Sequence, residues 1–197
     1  TFFNSGKPIL FPDVTYSFYD VWADLYRIPY KTCALTEDWH INPEDYKQEN
    51  GGVIFPNPNA PTGLEESQET VEEIIKANPD VIVIVDEAYV DFGGTSALPL
   101  IEKYDNLLVV QTCSKSRSLA GARLGLCLGQ AELVQDLKTI KNSITPYNLS
   151  GATLAAGLGA LEDEEYTRAN CRTIMENRAF TAEGLRALGF DVTNSMG

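Results

Sequence analysis

Three short stretches carry side chains whose types and spacing could do chemistry. The first is Asp86-Glu87-Ala88-Tyr89, directly after the apolar run 81–85. A carboxylate at the end of a buried strand is costly unless it meets a cation or hydrogen-bond donors. Asp86 is thus an N-cap, half of a core salt bridge, or the partner of a protonated ring nitrogen in a bound ligand. Tyr89, three residues on, could donate to an oxygen of the same ring. The second stretch is Thr112-Cys113-Ser114-Lys115, directly after the run 107–111. A lysine taken at random is a solvated surface charge. At a strand end, flanked by hydroxyls, Lys115 can also form a Schiff base while Thr112 and Ser114 bind a phosphate. The third runs from Leu119 to Gly125. There Gly121 and Gly125 allow close backbone approach. Arg123 is either a surface arginine at a strand start or a bidentate ligand for phosphate oxygens.

These stretches need a scaffold that carries them to one place. Runs 8–11, 30–35, 52–55, 81–85, 107–111 and 124–128 read as strands, the last three as buried ones, and 81–85 as buried on both faces. Phe18, Val21, Trp22 and Leu25 recur at helical spacing within an aromatic stretch, 16–30. Val71, Ile74 and Ile75 share one face of an acidic helix over 65–77, stopped by Asn78-Pro79. A loop follows over 92–97. Helices are expected at 98–104, at 131–141, at 150–161 (rich in small residues that permit close packing) and at 163–188. Gly189 caps the last before a strand at 190–193. Strands alternating with helices predict an α/β fold: a mostly parallel or mixed sheet flanked by helices on both faces. Ligands of such sheets bind outside the carboxyl ends of the strands, where all three stretches lie. The long helix and the strand after it predict the start of a smaller α+β C-terminal domain. The expected division is therefore 1–160 and 161–197. Thr1-Phe2-Phe3, with no initiator Met, and the stop at Ser195-Met196-Gly197 read as cuts through a larger protein.

Composition narrows the function classes. With 44% hydrophobic residues, the chain can bury a core. A net charge of 15 − 28 = −13 disfavours nucleic acid, whose phosphates it would repel. His40 is the only histidine, and Cys33, Cys113, Cys127 and Cys171 are far apart. A zinc site and a Cys–His or Ser–His mechanism are therefore not expected. Cysteines this sparse point to a reducing cytoplasm rather than a disulfide framework. No apolar run is long enough to span a bilayer, and no signal-peptide pattern is seen.

Taken together, the order of these stretches resembles the class I/II aminotransferases of fold type I, which depend on pyridoxal 5'-phosphate. The turn Asn57-Pro58-Asn59-Ala60-Pro61-Thr62-Gly63 resembles their N-P-x-N-P-T-G loop. The string Asp86 to Phe92, the pattern T-x-S-K…L-A-G-x-R-x-G and Pro146-Tyr147-Asn148 resemble the histidinol-phosphate aminotransferase branch. The resemblance covers essentially the whole chain.

It implies that Lys115 binds the cofactor covalently and moves the substrate proton. Asp86 would pair with the ring nitrogen, and Tyr89 would bind the phenolic oxygen. Thr112, Ser114 and Arg123 would hold the phosphate. Tyr16, in Val14-Thr15-Tyr16-Ser17, matches the aromatic residue that stacks on the ring, although a tyrosine there also suits plain packing. Ala60 departs from the family, which has an asparagine touching the phenolic oxygen. Either Asn57 or Asn59 would replace it, or Tyr89 would hold the oxygen with less help. The implied reaction is ping-pong transamination between histidinol phosphate and 2-oxoglutarate by a homodimer. Threonine-phosphate decarboxylases and aromatic-amino-acid aminotransferases share the same lysine, aspartate and arginine. A non-catalytic binding domain of this fold is the alternative from another class. A nicotinamide-binding domain would want G-x-G-x-x-G after its first strand, and none is present.

Overall fold

The apolar runs form strands, and the strands form one sheet. In the computed structural model, which describes residues 1–197, these are β1 (Ile9–Pro12), β2 (Tyr30–Cys33), β3 (Val53–Pro56), β4 (Val83–Asp86), β5 (Leu107–Thr112) and β6 (Gly125–Gly129). Their order is β2-β1-β3-β4-β5-β6. The first five pair in parallel, and β6 joins β5 antiparallel. Parallel neighbours require crossover connections. Helix α1 (Tyr19–Tyr26) lies between β1 and β2, and α2 (Gln68–Ala77) between β3 and β4. Three helices follow the sheet: α3 (Ala131–Ile144), α4 (Gly151–Glu162) and α5 (Glu164–Ala187). The expected α/β architecture, mostly parallel and flanked by helices, is what the chain forms. No helix is long and apolar enough to cross a membrane.

Alternation along the strands sets two faces. Leu10, Val53, Phe55, Val83, Val85, Leu107 and Val109 meet Val71, Ile74 and Ile75 of α2 in a core of 15 buried residues. On the other face Ile9 and Phe11 meet Tyr19 and Ala23 of α1 in a cluster of only 4. The first face therefore carries most of the hydrophobic stabilisation. Helix α2 is set against it by its ends. Ser67 caps the start, its Oγ accepting from Thr70 N. Asn78 closes the end, donating to Ile74 O at 2.8 Å and Tyr46 O at 3.0 Å while accepting from Asn50 at 2.6 Å.

Several expectations need correction. In α1 the stripe Phe18, Val21, Trp22 and Leu25 is exposed, and Tyr19 and Ala23 are buried instead. Periodicity identified a helix but not the face it buries, and only residues 19 and 23 reach the sheet. Strand β4 begins at Val83 and alternates, with Ile84 half-buried, because the second face is thinly covered. Strand β6 is not buried: it is the antiparallel edge, with one neighbour and little above it. The short helix expected at 98–104 is a 3₁₀ helix over Leu98–Glu102. The expected strand at 190–193 does not form. With no strand beside it, this segment bonds the turn after β3 instead: Thr193 Oγ1 donates to Thr62 O at 2.9 Å and Met196 N to Gly63 O at 2.6 Å. Ser195 then lies where a Cβ on Gly63 would stand, 2.1 Å from its Oγ. Close packing of the small-residue helix α4 holds at Gly157, where a Cβ would come within 2.2 Å of Leu124 Cδ2.

The two helices predict opposite mutational costs. Ile74→Ala in α2 is expected to lose about 2–5 kcal/mol of stability in urea unfolding. Val21→Ala, on the exposed stripe of α1, should stay within about 0.5 kcal/mol. The reverse ranking would mean that the stripe is a core face.

Candidate active site

Strand direction decides where the chemistry meets. Strands β1 to β5 run parallel, so their carboxyl ends share one edge of the sheet. Strand β6 runs the other way, so its beginning arrives at that same edge, with Gly125 opposite Thr112. A cleft of about 510 Å³ opens there. It is lined by Tyr16 after β1, Ala60 after β3, Asp86 and Tyr89 from β4, Thr112, Ser114 and Lys115 from β5, and Arg123 before β6. Another cleft, of about 440 Å³, lies at the opposite edge. Asp80 and Asp105 are its only charged side chains.

Asp86 ends β4 with no basic side chain in contact; none of the chain's ion pairs includes it. Its Oδ2 accepts from Tyr19 Oη at 2.9 Å, and its Oδ1 from Ala88 N at 3.1 Å. The second bond is a local turn contact; the core salt bridge is not formed. Burial pushes the carboxyl above its ordinary range, and the two bonds oppose that shift. Tyr19 is pushed up in turn, first by burial and then by Asp86.

Lys115 is likewise free of carboxylates, and its Nζ stands 5.1 Å from the centre of the Tyr89 ring. A cation over an aromatic face is held without being neutralised. The loop that carries it is fixed from several sides. Leu119 N donates to Cys113 O at 2.9 Å, and Ser118 N to Lys115 O at 3.1 Å. The buried Ser116 hydroxyl bonds Asp91, and Arg117 donates to Ala160 O on α4 at 3.0 Å. Ser118 and Arg123 both adopt the left-handed backbone region, which costs a non-glycine residue roughly 1–2 kcal/mol. By contrast, Gly121 meets nothing within 4 Å and Gly125 only Gln111 O at 3.4 Å, so packing within the chain requires neither glycine. Arg123 gives one N–H to Ala120 O at 2.9 Å, and its other donors bond nothing in the protein. Thr112 spends part of its hydroxyl locally, accepting from Ser114 N at 3.1 Å and lying 3.5 Å from Leu124 O.

The expected cluster is therefore largely assembled, with two exceptions. Asn57 and Asn59 do not line the cleft. The Asn57 amide clamps the backbone of Glu66, accepting at 2.8 Å and donating at 3.3 Å. Asn59 donates to Val14 O at 2.9 Å and to Thr62 Oγ1 at 3.1 Å, and accepts from Thr15. Both side chains are buried and hydrogen-bonded within the protein rather than facing the cleft.

Three participants escaped the sequence reading. Trp22 joins the cleft wall and packs edge-on to Tyr16, with ring centres 5.9 Å apart. Tyr19 holds Asp86. Glu87, only 2% exposed, binds Ser96 Oγ at 2.7 Å, Ala97 N at 2.6 Å and Gln111 Nε2 at 2.8 Å, tying the loop after β4 to β5. Its carboxyl is raised, chiefly by burial. The available signal was the second tyrosine of the 16–19 stretch and a second acid beside Asp86; neither reveals its partner in one dimension.

The family model for aminotransferase class I and II matches residues 1–197. The chain belongs to the class I and II aminotransferase family. This aminotransferase chain is 51% identical over 193 residues to histidinol-phosphate aminotransferase 1 of Pseudomonas aeruginosa, covering 98% of itself and 55% of that relative. It thus spans about half the length of the curated relatives it matches. Among solved structures it superposes on the histidinol-phosphate aminotransferase of Clostridium acetobutylicum with a TM-score of 0.88 at 25% identity, covering 97% of this chain and 60% of that one. The Sinorhizobium meliloti enzyme of the same name, solved with pyridoxal-5'-phosphate, gives 0.87 at 24% identity, covering 98% and 54%.

The raised carboxyls at the site carry a pH signature. A carboxyl raised in the fold binds protons more readily folded than unfolded. Its ionisation therefore removes stability as pH climbs from the ordinary carboxylate range through the raised value. The stability of wild type minus that of Glu87→Gln should fall with rising pH across that window and level off above it. Urea midpoints measured at a series of pH values test this; a flat difference would place the proton elsewhere.

Proposed function

We propose that the whole protein is a pyridoxal 5'-phosphate-dependent aminotransferase that exchanges the amino group of histidinol phosphate with 2-oxoglutarate by ping-pong kinetics. The observation that carries this reading is one cleft holding a carboxylate and two cations, none of them paired within the protein. Lys115 and Arg123 lie on the β5–β6 side and Asp86 at the end of β4. Unpaired charges of both signs in one cleft fit a ligand that is anionic at one end and cationic at the other. A phosphorylated pyridine has that pattern.

Each residue then has a part. Asp86 would accept a hydrogen bond from the protonated ring nitrogen and favour its charged form. Tyr16 covers a ring face, and Tyr89 donates to the phenolic oxygen. Arg123 clamps phosphate oxygens with the donors it has left, and Ser114 and Thr112 add hydroxyls. When bound, pyridoxal phosphate supplies an electron-poor ring that accepts the electron pair released at the substrate α-carbon. Lys115 Nζ would hold the cofactor covalently and, when free, would be the base that takes the proton from the substrate α-carbon. With Ala60 offering no donor, Tyr89 would be the side chain left to hold the phenolic oxygen. The amino donor itself is supported by about 50% identity to relatives of that name. The same reading has residues 1–160 as the cofactor-binding domain and 161–197 as the lead into a smaller C-terminal domain, in a cytoplasmic homodimer.

Full-length protein loaded with pyridoxal phosphate and reduced with borohydride should carry the label on the Lys115 peptide by mass spectrometry. Lys115→Ala should lose the label, and amino transfer from histidinol phosphate to 2-oxoglutarate should fall by roughly a hundredfold or more. A label that persists in Lys115→Ala overturns the assignment. Faster turnover of aromatic amino acids than of histidinol phosphate overturns the substrate.

A further inference from the structure

Tyr19 is the only side chain that donates to Asp86. It is 3% exposed and does not itself line the cleft. Its ring is gripped by Phe11 at 5.9 Å and Trp22 at 6.1 Å, and it meets Tyr16 edge-on at 5.7 Å. One buried residue therefore touches both the carboxylate and the aromatic wall of the site. We propose that Tyr19 is a positioning residue that fixes the orientation and charge of Asp86 and, through the same ring, the pose of Tyr16. The inference rests on the cofactor reading of the cleft.

The physical case has two parts. A buried tyrosine hydroxyl needs a partner, and a hydrogen bond to an ionised carboxylate is among the stronger ones available. With Tyr19 on Oδ2 and Ala88 N on Oδ1, both oxygens are pinned, so the carboxylate plane cannot rotate freely toward the cleft. Burial also favours the protonated acid, and the Tyr19 bond works against that. A protonated Asp86 would no longer hold a ring nitrogen in its charged form. The other ionisable groups facing this carboxyl are Tyr16, Tyr89, Lys115 and Arg123 across the cleft, with Glu87 next along the chain. None of them pairs with it.

Equilibrium affinity of full-length protein for pyridoxal phosphate, followed across pH by dialysis, separates the outcomes. Tyr19→Phe keeps the ring and removes the hydroxyl. It should weaken binding about tenfold, with the acid-side loss of affinity starting at higher pH. In an Asp86→Asn background the same change should have little further effect. Incorporating 3,5-difluorotyrosine at position 19, whose hydroxyl is more acidic, should move the acid limb to lower pH. Wild-type affinity and an unmoved acid limb in Tyr19→Phe overturn the proposal, as does an equal loss with and without Asp86. Should Tyr19→Phe not fold, an unmoved limb in the fluorotyrosine protein overturns it alone. Wild-type protein that does not bind pyridoxal phosphate overturns the cofactor reading itself and is recognised before any variant is made.

Discussion

A carboxylate at the end of a buried strand, met by a tyrosine hydroxyl instead of a cation, is the contact on which the site depends. Asp86 could have been neutralised by a core lysine or arginine. That would have paired the charge within the protein and left none for a ligand. The carboxylate is instead held by Tyr19 at 2.9 Å and by one backbone N–H, enough to fix it and not enough to neutralise it. Tyr19 reaches it only because α1 turns residues 19 and 23 inward. The larger apolar residues of that helix stay outside as a result.

The same economy governs the loop around Lys115. Its neighbours are bonded outward to the rest of the molecule: Ser116 to Asp91, and Arg117 to Ala160 on α4. The turn that holds Asp91 is gripped from α5, where Arg178 donates to Phe92 O at 3.1 Å. Helices remote from the cleft thus set the backbone of the lysine, while its ammonium rests over an aromatic ring. Ser118 and Arg123, in the same segment, adopt left-handed backbone conformations. Glu87 performs the matching task on the other side, joining the loop after β4 to Gln111 on β5.

How much of this was legible in the sequence follows from the range of each interaction. The strand positions, the α2 face of Val71, Ile74 and Ile75, and the residues placed at the ends of β4 and β5 were readable, because each is a local pattern. The orientation of α1 was not. A helix with apolar side chains on more than one face offers two docking choices, and only contact with Ile9 and Phe11 selects between them. Asn57 and Asn59 were misplaced for a related reason. A turn rich in asparagine advertises polar groups, but whether they face a ligand or their own backbone depends on where Val14 and Glu66 lie. The tail at 190–193 has strand-forming residues, and β structure also needs a neighbouring strand.

The sequence by itself determined the chemical inventory: an aspartate and a tyrosine after one apolar run, a lysine between hydroxyls after the next, and an arginine eight residues on. Those are matters of residue type and short spacing. Only the tertiary structure decided that they meet. Five parallel strands bring their carboxyl ends to one edge, and a single antiparallel strand delivers Arg123 there from the opposite direction. It also decided that Tyr19, a core residue by composition, would hold the charge of Asp86, because a hydrogen bond between residues 67 positions apart exists only once the sheet has formed.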